Sequence, residues 1–244
     1  MEKKNKNKKE IRKENIMKKN NEKSEIKISS DWGNSILRND KKTMKNIHRY
    51  HKDSYGNDMP NNSIIIKNLL SEKECINLIT ESEKHGYGKT TYDQHYRSNL
   101  RLITVDESMA QLLFERIKQH MPKIVNKDKH AWEIIGLNEC FRMSKYNVSN
   151  FFDNHYDTNF QRNSNEHSFF TLNIYLNSDY TGGETRFFEK TDVVASIKAD
   201  PGDCLIFMQP PTAYLMHDGT KVKCGIKYLL RSDLMYKKIN GIKI

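Results

Sequence analysis

From residue 137 to 236, apolar and polar residues alternate over short stretches: LNECFRMSKY, FFDNHYD, SFFTLNIYLN, GETRFFE, DCLIFM and CGIKYLLRSDLMY. Turn-forming segments separate them, among them NSDYTGG, KADPGD, QPP and HDG. A period of two places alternate side chains on opposite faces, so this half of the chain is predicted to be a series of strands. In FFTLNIYL the two faces differ: Phe170, Leu172, Ile174 and Leu176 are apolar, while Phe169, Thr171, Asn173 and Tyr175 make a mixed face suited to a ligand cavity. Upstream, the run SIIIKN (63–68) suits one more strand, and then the period becomes helical. Ser71 and Glu74 form a capping box that opens a helix stopping near Gly86. Asp106 caps a second helix whose Met109, Leu112, Leu113 and Ile117 share one face, with Pro122 beyond its end. Residues 87–101 read as an exposed polar loop. Two helices followed by many short strands predict an α+β chain, a β-sandwich or jelly roll backed by N-terminal helices.

The length, 244 residues, allows one sizeable core and a tail. Charge draws a boundary between them. Residues 1–52 carry 17 Lys or Arg against 7 Asp or Glu, whereas residues 53–244 carry 24 of each. The net charge of +10 therefore belongs to a tail over 1–52, and the domain over 53–244 is neutral. Residues 1–28 are Lys/Asn/Glu-rich and too polar to offset their chain entropy, so they are expected to be disordered or a frayed helix. Such a tail suits contact with a polyanion, nucleic acid or acidic lipid, or serves as a solvated extension. No signal-peptide-like apolar segment and no run long enough for a membrane span is present, which predicts a cytoplasmic or otherwise non-secretory protein. Cys75, Cys140, Cys204 and Cys224 have neither zinc-knuckle nor disulfide-framework spacing, consistent with a reducing compartment.

Candidate chemistry begins at DNHYDT (153–158). On a strand, His155 and Asp157 point the same way, close enough to share one small ion. The pair alone is weak, because His51-Lys52-Asp53 has the same form. His217 supplies a further imidazole, and of the nine histidines it alone has Lys or Arg ten positions on, at Lys227. Two imidazoles and one carboxylate on one face of Fe(II) leave positions open for a chelating keto acid and for O2. A buried lysine beyond them can meet a distal carboxylate.

In this order, HYD, YLN, GGET.FF, PGDCLIF and H.G..V..G.KY.LR.D..Y resemble the Fe(II)/2-oxoglutarate-dependent dioxygenases, specifically the prolyl 4-hydroxylase catalytic-domain group, over about residues 63–236. The resemblance implies a double-stranded β-helix with His155, Asp157 and His217 on iron and Lys227 as the 2-oxoglutarate anchor. It implies further cosubstrate contacts from Tyr146, Tyr175 and Thr185, and substrate contacts from Arg97 and Arg101 in YRSNLRL. It implies Fe(II), 2-oxoglutarate and L-ascorbate as cofactors, and hydroxylation of a proline-containing peptide or protein. The same chemistry on another residue, a nucleobase or a small molecule is the alternative, as is a non-catalytic binding module on this fold. The chain departs from the group at YNVSNFF (146–152), where relatives commonly have Gly.

Overall fold

The computed structural model describes residues 24–37 and 46–243. Its frame is a twelve-stranded, mostly antiparallel sheet. The main path runs Ile26–Ser29, Leu100–Val105, Cys140–Tyr146, Lys227–Lys243, Glu166–Tyr175, Cys204–Met208, Ser63–Lys67 and His48–Tyr50. A smaller four-stranded sheet, ordered Asp192–Ile197, Thr185–Glu189, Met216–Gly219 and Phe152–His155, faces it. The two sheets form the jelly-roll core, and one wall of the cleft between them is the mixed face anticipated in FFTLNIYL.

Helices cover the outer face of the large sheet. α1 spans Trp32–Ile36, α2 Glu72–His85 and α3 Glu107–Ile117. The capping box on α2 forms as the sequence predicts, with Ser71 accepting from the Glu74 amide and Glu74 accepting from the Ser71 amide. Glu74 also pairs with the buried guanidinium of Arg116 on α3 at 2.7 Å. Leu78, Met109, Leu113 and Ile117 are fully buried in the main apolar cluster with Leu172, Ile174 and Leu230.

Three sequence expectations are corrected. The tail boundary at residue 52 falls too late. Ile26–Ser29 pairs in parallel with Leu102–Val105, and Trp32, Ile36, Leu37 and Ile47 are buried in the main core. Asp106 explains the docking: one carboxylate oxygen caps α3 at the Met109 amide, 2.8 Å away, and the other accepts from the Trp32 amide at 2.5 Å, so one side chain caps two helices. Gly33 permits the approach, since a Cβ there would lie 2.1 Å from the Met109 nitrogen. The low-complexity stretch lies outside the described residues except for its last five positions, 24–28, which belong to this docked segment.

The stretch 87–101 is an exposed loop only over residues 91–95. It contributes a short strand at Gly88–Lys89 and leads into Leu100–Val105, and Thr90, Arg97, Asn99 and Arg101 are buried. Phe169 leaves the cavity face, because the register slips between Ser168 and Phe170. It joins Phe170 in the main core, with its ring edge-on to Trp132 and Tyr236. Among the described residues no helix is long and apolar enough to cross a membrane.

Candidate active site

His155 ends the Phe152–His155 strand, and His217 lies directly opposite it in the antiparallel Met216–Gly219 strand. Cross-strand neighbours on one face are close, so strand register brings together two histidines 62 positions apart in sequence. Asp157 follows two residues after His155. Its carboxylate oxygens lie 3.6 Å from His155 Nε2 and 3.8 Å from His217 Nε2. One donor atom from each of the three residues lies within 4.8 Å of the others, and among the described residues this is the single such group of His, Cys, Asp or Glu.

The donors are chemically ready for a cation. Nδ1 of His155 faces the Asp153 carbonyl at 2.7 Å, and Nδ1 of His217 faces the Leu215 carbonyl at 3.0 Å. A carbonyl only accepts, so each Nδ1 carries the proton and each Nε2 turns its lone pair toward Asp157. Burial, followed by the neighbouring His217, pushes His155 down to about 3, and burial lowers His217 as well. Both rings are therefore neutral near pH 7. Burial alone would raise the Asp157 carboxyl, but Arg231, His217 and His155 outweigh it and hold the group ionised, well below the usual carboxylate range. Two neutral imidazoles and one carboxylate on one face fit Fe(II), since bonds of about 2.0–2.2 Å need only a small inward movement of the three donors.

Two further side chains fix Asp157. Thr171 donates to Oδ2 at 2.8 Å, and Arg231 reaches Oδ1 at 3.0 Å. Behind them, Gln209 donates to Thr171 Oγ1 and to Asp233, and Asp233 also receives Arg142. Sequence patterning passes over Arg231. Its arginine stands in the KY.LR.D motif, but only the register of the Lys227–Lys243 strand brings it to the carboxylate.

Lys227 opens that strand opposite Tyr146 and is 3% exposed. Its ammonium donates to the Gly183 carbonyl at 2.6 Å and sits 5.5 Å and 5.2 Å from the ring centroids of Tyr146 and Tyr175. It forms no ion pair with a carboxylate of the described residues, and burial pushes the ammonium down to about 8 despite the pull of Glu184 and Asp218. A buried cation in an aromatic box without an anion calls for an anionic ligand. Gly183 makes room for it: φ is +71°, and a Cβ would crowd the Lys227 Cδ at 3.3 Å.

The remaining candidates separate. Tyr146 and Thr185 line the cleft together with the triad, Lys227 and Arg231. Tyr175 is fully buried and spends its hydroxyl proton on Thr185 Oγ1 at 2.8 Å, which leaves the Thr185 hydroxyl hydrogen free to point into the cleft. Arg97 lines the cleft, with its guanidinium 4.1 Å from the Phe152 ring. Arg101 does not: it turns to Glu25 at 3.4 Å. The departing turn at 146–152 is built without glycine. Ser149 adopts φ +71°, and the Asn150 side chain accepts from the Asn147 amide at 2.9 Å.

The family model of the 2OG-Fe(II) oxygenase superfamily matches residues 141–232, which hold the triad, Lys227 and Arg231. A search of curated proteins returns no match. Among solved structures, the 2-oxoglutarate complex of a viral collagen prolyl hydroxylase from Paramecium Bursaria Chlorella virus-1 is similar at 18% identity and a TM-score of 0.53. The alignment covers 73% of this chain and 97% of that one. A prolyl hydroxylase from Trichoplax adhaerens, in complex with a hypoxia inducible factor peptide fragment, is similar at 16% identity and a TM-score of 0.55, covering 72% and 84%. A Pseudomonas putida prolyl-4-hydroxylase follows at 14% and 0.50, covering 71% and 91%. At these identities the structural likeness is one of fold, while the matched family model spans the metal-binding constellation itself. Residues 141–232, which carry His155, Asp157 and His217, are those that match the 2OG-Fe(II) oxygenase superfamily.

Proposed function

We propose that this oxygenase hydroxylates a prolyl residue in a peptide or protein, coupled to conversion of 2-oxoglutarate to succinate and CO2. The single observation that carries the cosubstrate assignment is Lys227, a buried ammonium lacking a carboxylate partner among the described residues and lining the same cleft as the triad. In this reading His155, Asp157 and His217 hold Fe(II), which when bound supplies the redox chemistry for activating O2. The protein does the rest by position. Lys227 neutralises the distal carboxylate of 2-oxoglutarate, Thr185 donates a hydroxyl hydrogen oriented by Tyr175, and Tyr146 closes the side of the pocket. Arg231 and Thr171 hold Asp157 still while ligands exchange around it.

Proline as the target is supported by the fold shared with prolyl hydroxylases and by the aromatic edge of the cleft. Tyr96 packs edge-on against Phe152, which lines the site, and Tyr92 lies beside Tyr96. Such surfaces suit the flat ring of proline in an extended peptide. L-ascorbate enters as a reductant that restores iron oxidised in turnovers lacking substrate. A cytoplasmic or otherwise non-secretory location is part of the proposal. The test is mass spectrometry of proline-containing peptides incubated with the protein, Fe(II), 2-oxoglutarate and ascorbate. One added oxygen located on proline supports the reading. Succinate release with oxygen placed on another residue overturns it.

A further inference from the structure

The cleft has a second cationic feature, separate from Lys227. Asn173, Arg231 and Arg142 are direct cross-strand partners on three adjacent strands of the large sheet, so they form one row, and all three line the cleft. Arg97 completes the row's surroundings from the segment leading into Leu100–Val105. Three guanidiniums thus face two carboxylates, Asp157 and Asp233. Arg231 lies 3.0 Å from Asp157 and 3.6 Å from Asp233, and Arg142 lies 3.2 Å from Asp233. The other acid in the cleft, Asp218, is taken by Arg186. Arg97 is 5% exposed and has no ion pair among the described residues; its Nε donates to Asn99, and its terminal nitrogens carry no carboxylate. Within the row, Arg231 Nε and Asn173 Oδ1 are buried without a hydrogen-bond partner. Of these only Arg231 Nε is a donor; a desolvated donor is stabilised by an incoming acceptor, and for guanidinium the best acceptor is an anion, while Asn173 Oδ1 is an acceptor open to a donor such as a peptide amide.

We infer that this row binds an anionic side chain of the substrate, so that the peptide hydroxylated here carries an aspartate or glutamate close to its target residue. The inference rests on the peptide reading given above. The row is not the 2-oxoglutarate anchor, because Lys227 and Arg231 are four residues apart on one strand, about 13 Å at the strand rise. It adjoins the metal site through Arg231 and Asp157, so a peptide with its target residue at the metal brings neighbouring side chains within reach of the row. A carboxylate side chain fits better than a phosphate backbone. The guanidiniums are recessed within one cleft, and residues 24–244 carry 31 basic against 27 acidic residues, only a small excess to offer a nucleic acid strand.

The test is a binding measurement with the full chain, Fe(II) and 2-oxoglutarate under exclusion of O2, so that no turnover occurs. Fluorescent peptides with a central proline flanked by Asp, Asn or Lys are compared by anisotropy, beside an oligonucleotide. The expected result is tenfold or tighter binding of the Asp peptide over the Asn peptide at low salt, with the gap narrowing as salt rises. Arg142→Gln, and independently Arg97→Gln, should reduce that preference to under threefold with 2-oxoglutarate affinity unchanged. Equal affinity for Asp and Asn peptides, no binding of either, tighter binding of the oligonucleotide, or a loss in Arg142→Gln confined to 2-oxoglutarate overturns the inference. The two readings fail separately. Acid-selective binding with no oxygen gained on proline sinks the proline assignment alone, and equal hydroxylation of Asp and Asn peptides sinks only the anion row.

Discussion

Two H-x-D sequences lie about 100 residues apart in this chain, and they have opposite fates. At His51–Asp53 the aspartate is buried and fully engaged by its own turn. It accepts from the amides of Tyr55, Asn57 and Ser196 and from the Asn57 side chain, and the Ser196 bond fastens residues 50–58 to the small sheet. His51 is exposed and lines a groove wider than the cleft, but without any acidic residue among the described residues of its wall. At His155–Asp157 the aspartate receives no backbone amide among the described residues; it meets two imidazoles, a threonine and an arginine. The motif is the same and the coordination capacity is not. What makes one pair a site is a third residue delivered by strand register, together with a carboxylate whose lone pairs are not already consumed by a turn.

That contrast predicts a division between stability and chemistry. The largest effect is expected in the N-terminal region: Trp32→Ala should destabilise the fold by about 3–5 kcal/mol through loss of a buried indole, read as a lower urea midpoint, with turnover per folded molecule unchanged. A neutral result would return residues before 53 to a dispensable tail. In the cleft, Lys227→Ala should weaken 2-oxoglutarate binding by about 2–5 kcal/mol, roughly 30- to several-thousand-fold in half-saturation for succinate release, without loss of stability. Lys227→Arg should recover part of it, since its planar fork does not replace a compact ammonium. Unchanged half-saturation in the alanine variant would remove Lys227 as the anchor.

A smaller effect returns to the first motif. Asp53→Ala should cost on the order of 1–3 kcal/mol by stranding amide donors, with metal binding intact; lost metal affinity there would erase the distinction between the two pairs. The cleft side has its own pH signature. The Lys227 ammonium is depressed from 10.5 to about 8 in the folded protein, so between those values the unfolded chain holds the extra proton. Stability of the ligand-free protein should therefore gain a contribution as pH rises from 8 toward 10.5, and 2-oxoglutarate affinity should fall over the same window as the amine loses its charge. Both trends should vanish in Lys227→Ala, as measured by denaturation and titration from pH 7 to 10.5.

Much of this is legible in the order of the amino acids. The alternation in FFTLNIYL puts Thr171 and Asn173 on the cavity wall, the capping box places α2, and the spacing from His217 to Lys227 singles out the pair that lines the cleft. What escapes a linear reading is what depends on long-range pairing. Asp106 looks like an ordinary helix cap; its second oxygen, which caps α1, has no role until the N-terminal segment docks. Composition assigns that segment to the basic tail because Trp32, Ile36, Leu37 and Ile47 are too sparse to show a period. Phe169 belongs to the cavity face by strict alternation, and a one-residue slip moves it into the core. Arg97 and Arg101 are equivalent in YRSNLRL, yet one faces the cleft and the other Glu25. Arg231 is a letter in a motif until the strand brings it to Asp157.

The whole reading turns on His155, Asp157 and His217, and not the earlier H-x-D, holding the metal. Fe(II) dissociation constants decide it, obtained by anaerobic equilibrium dialysis of the wild type, His51→Ala and His155→Ala, with folding of each checked by circular dichroism. His51→Ala is predicted to match the wild type, and folded His155→Ala to bind Fe(II) at least about 100-fold more weakly, near 2.7 kcal/mol. Wild-type affinity in His155→Ala, or a comparable loss in His51→Ala, would contradict it.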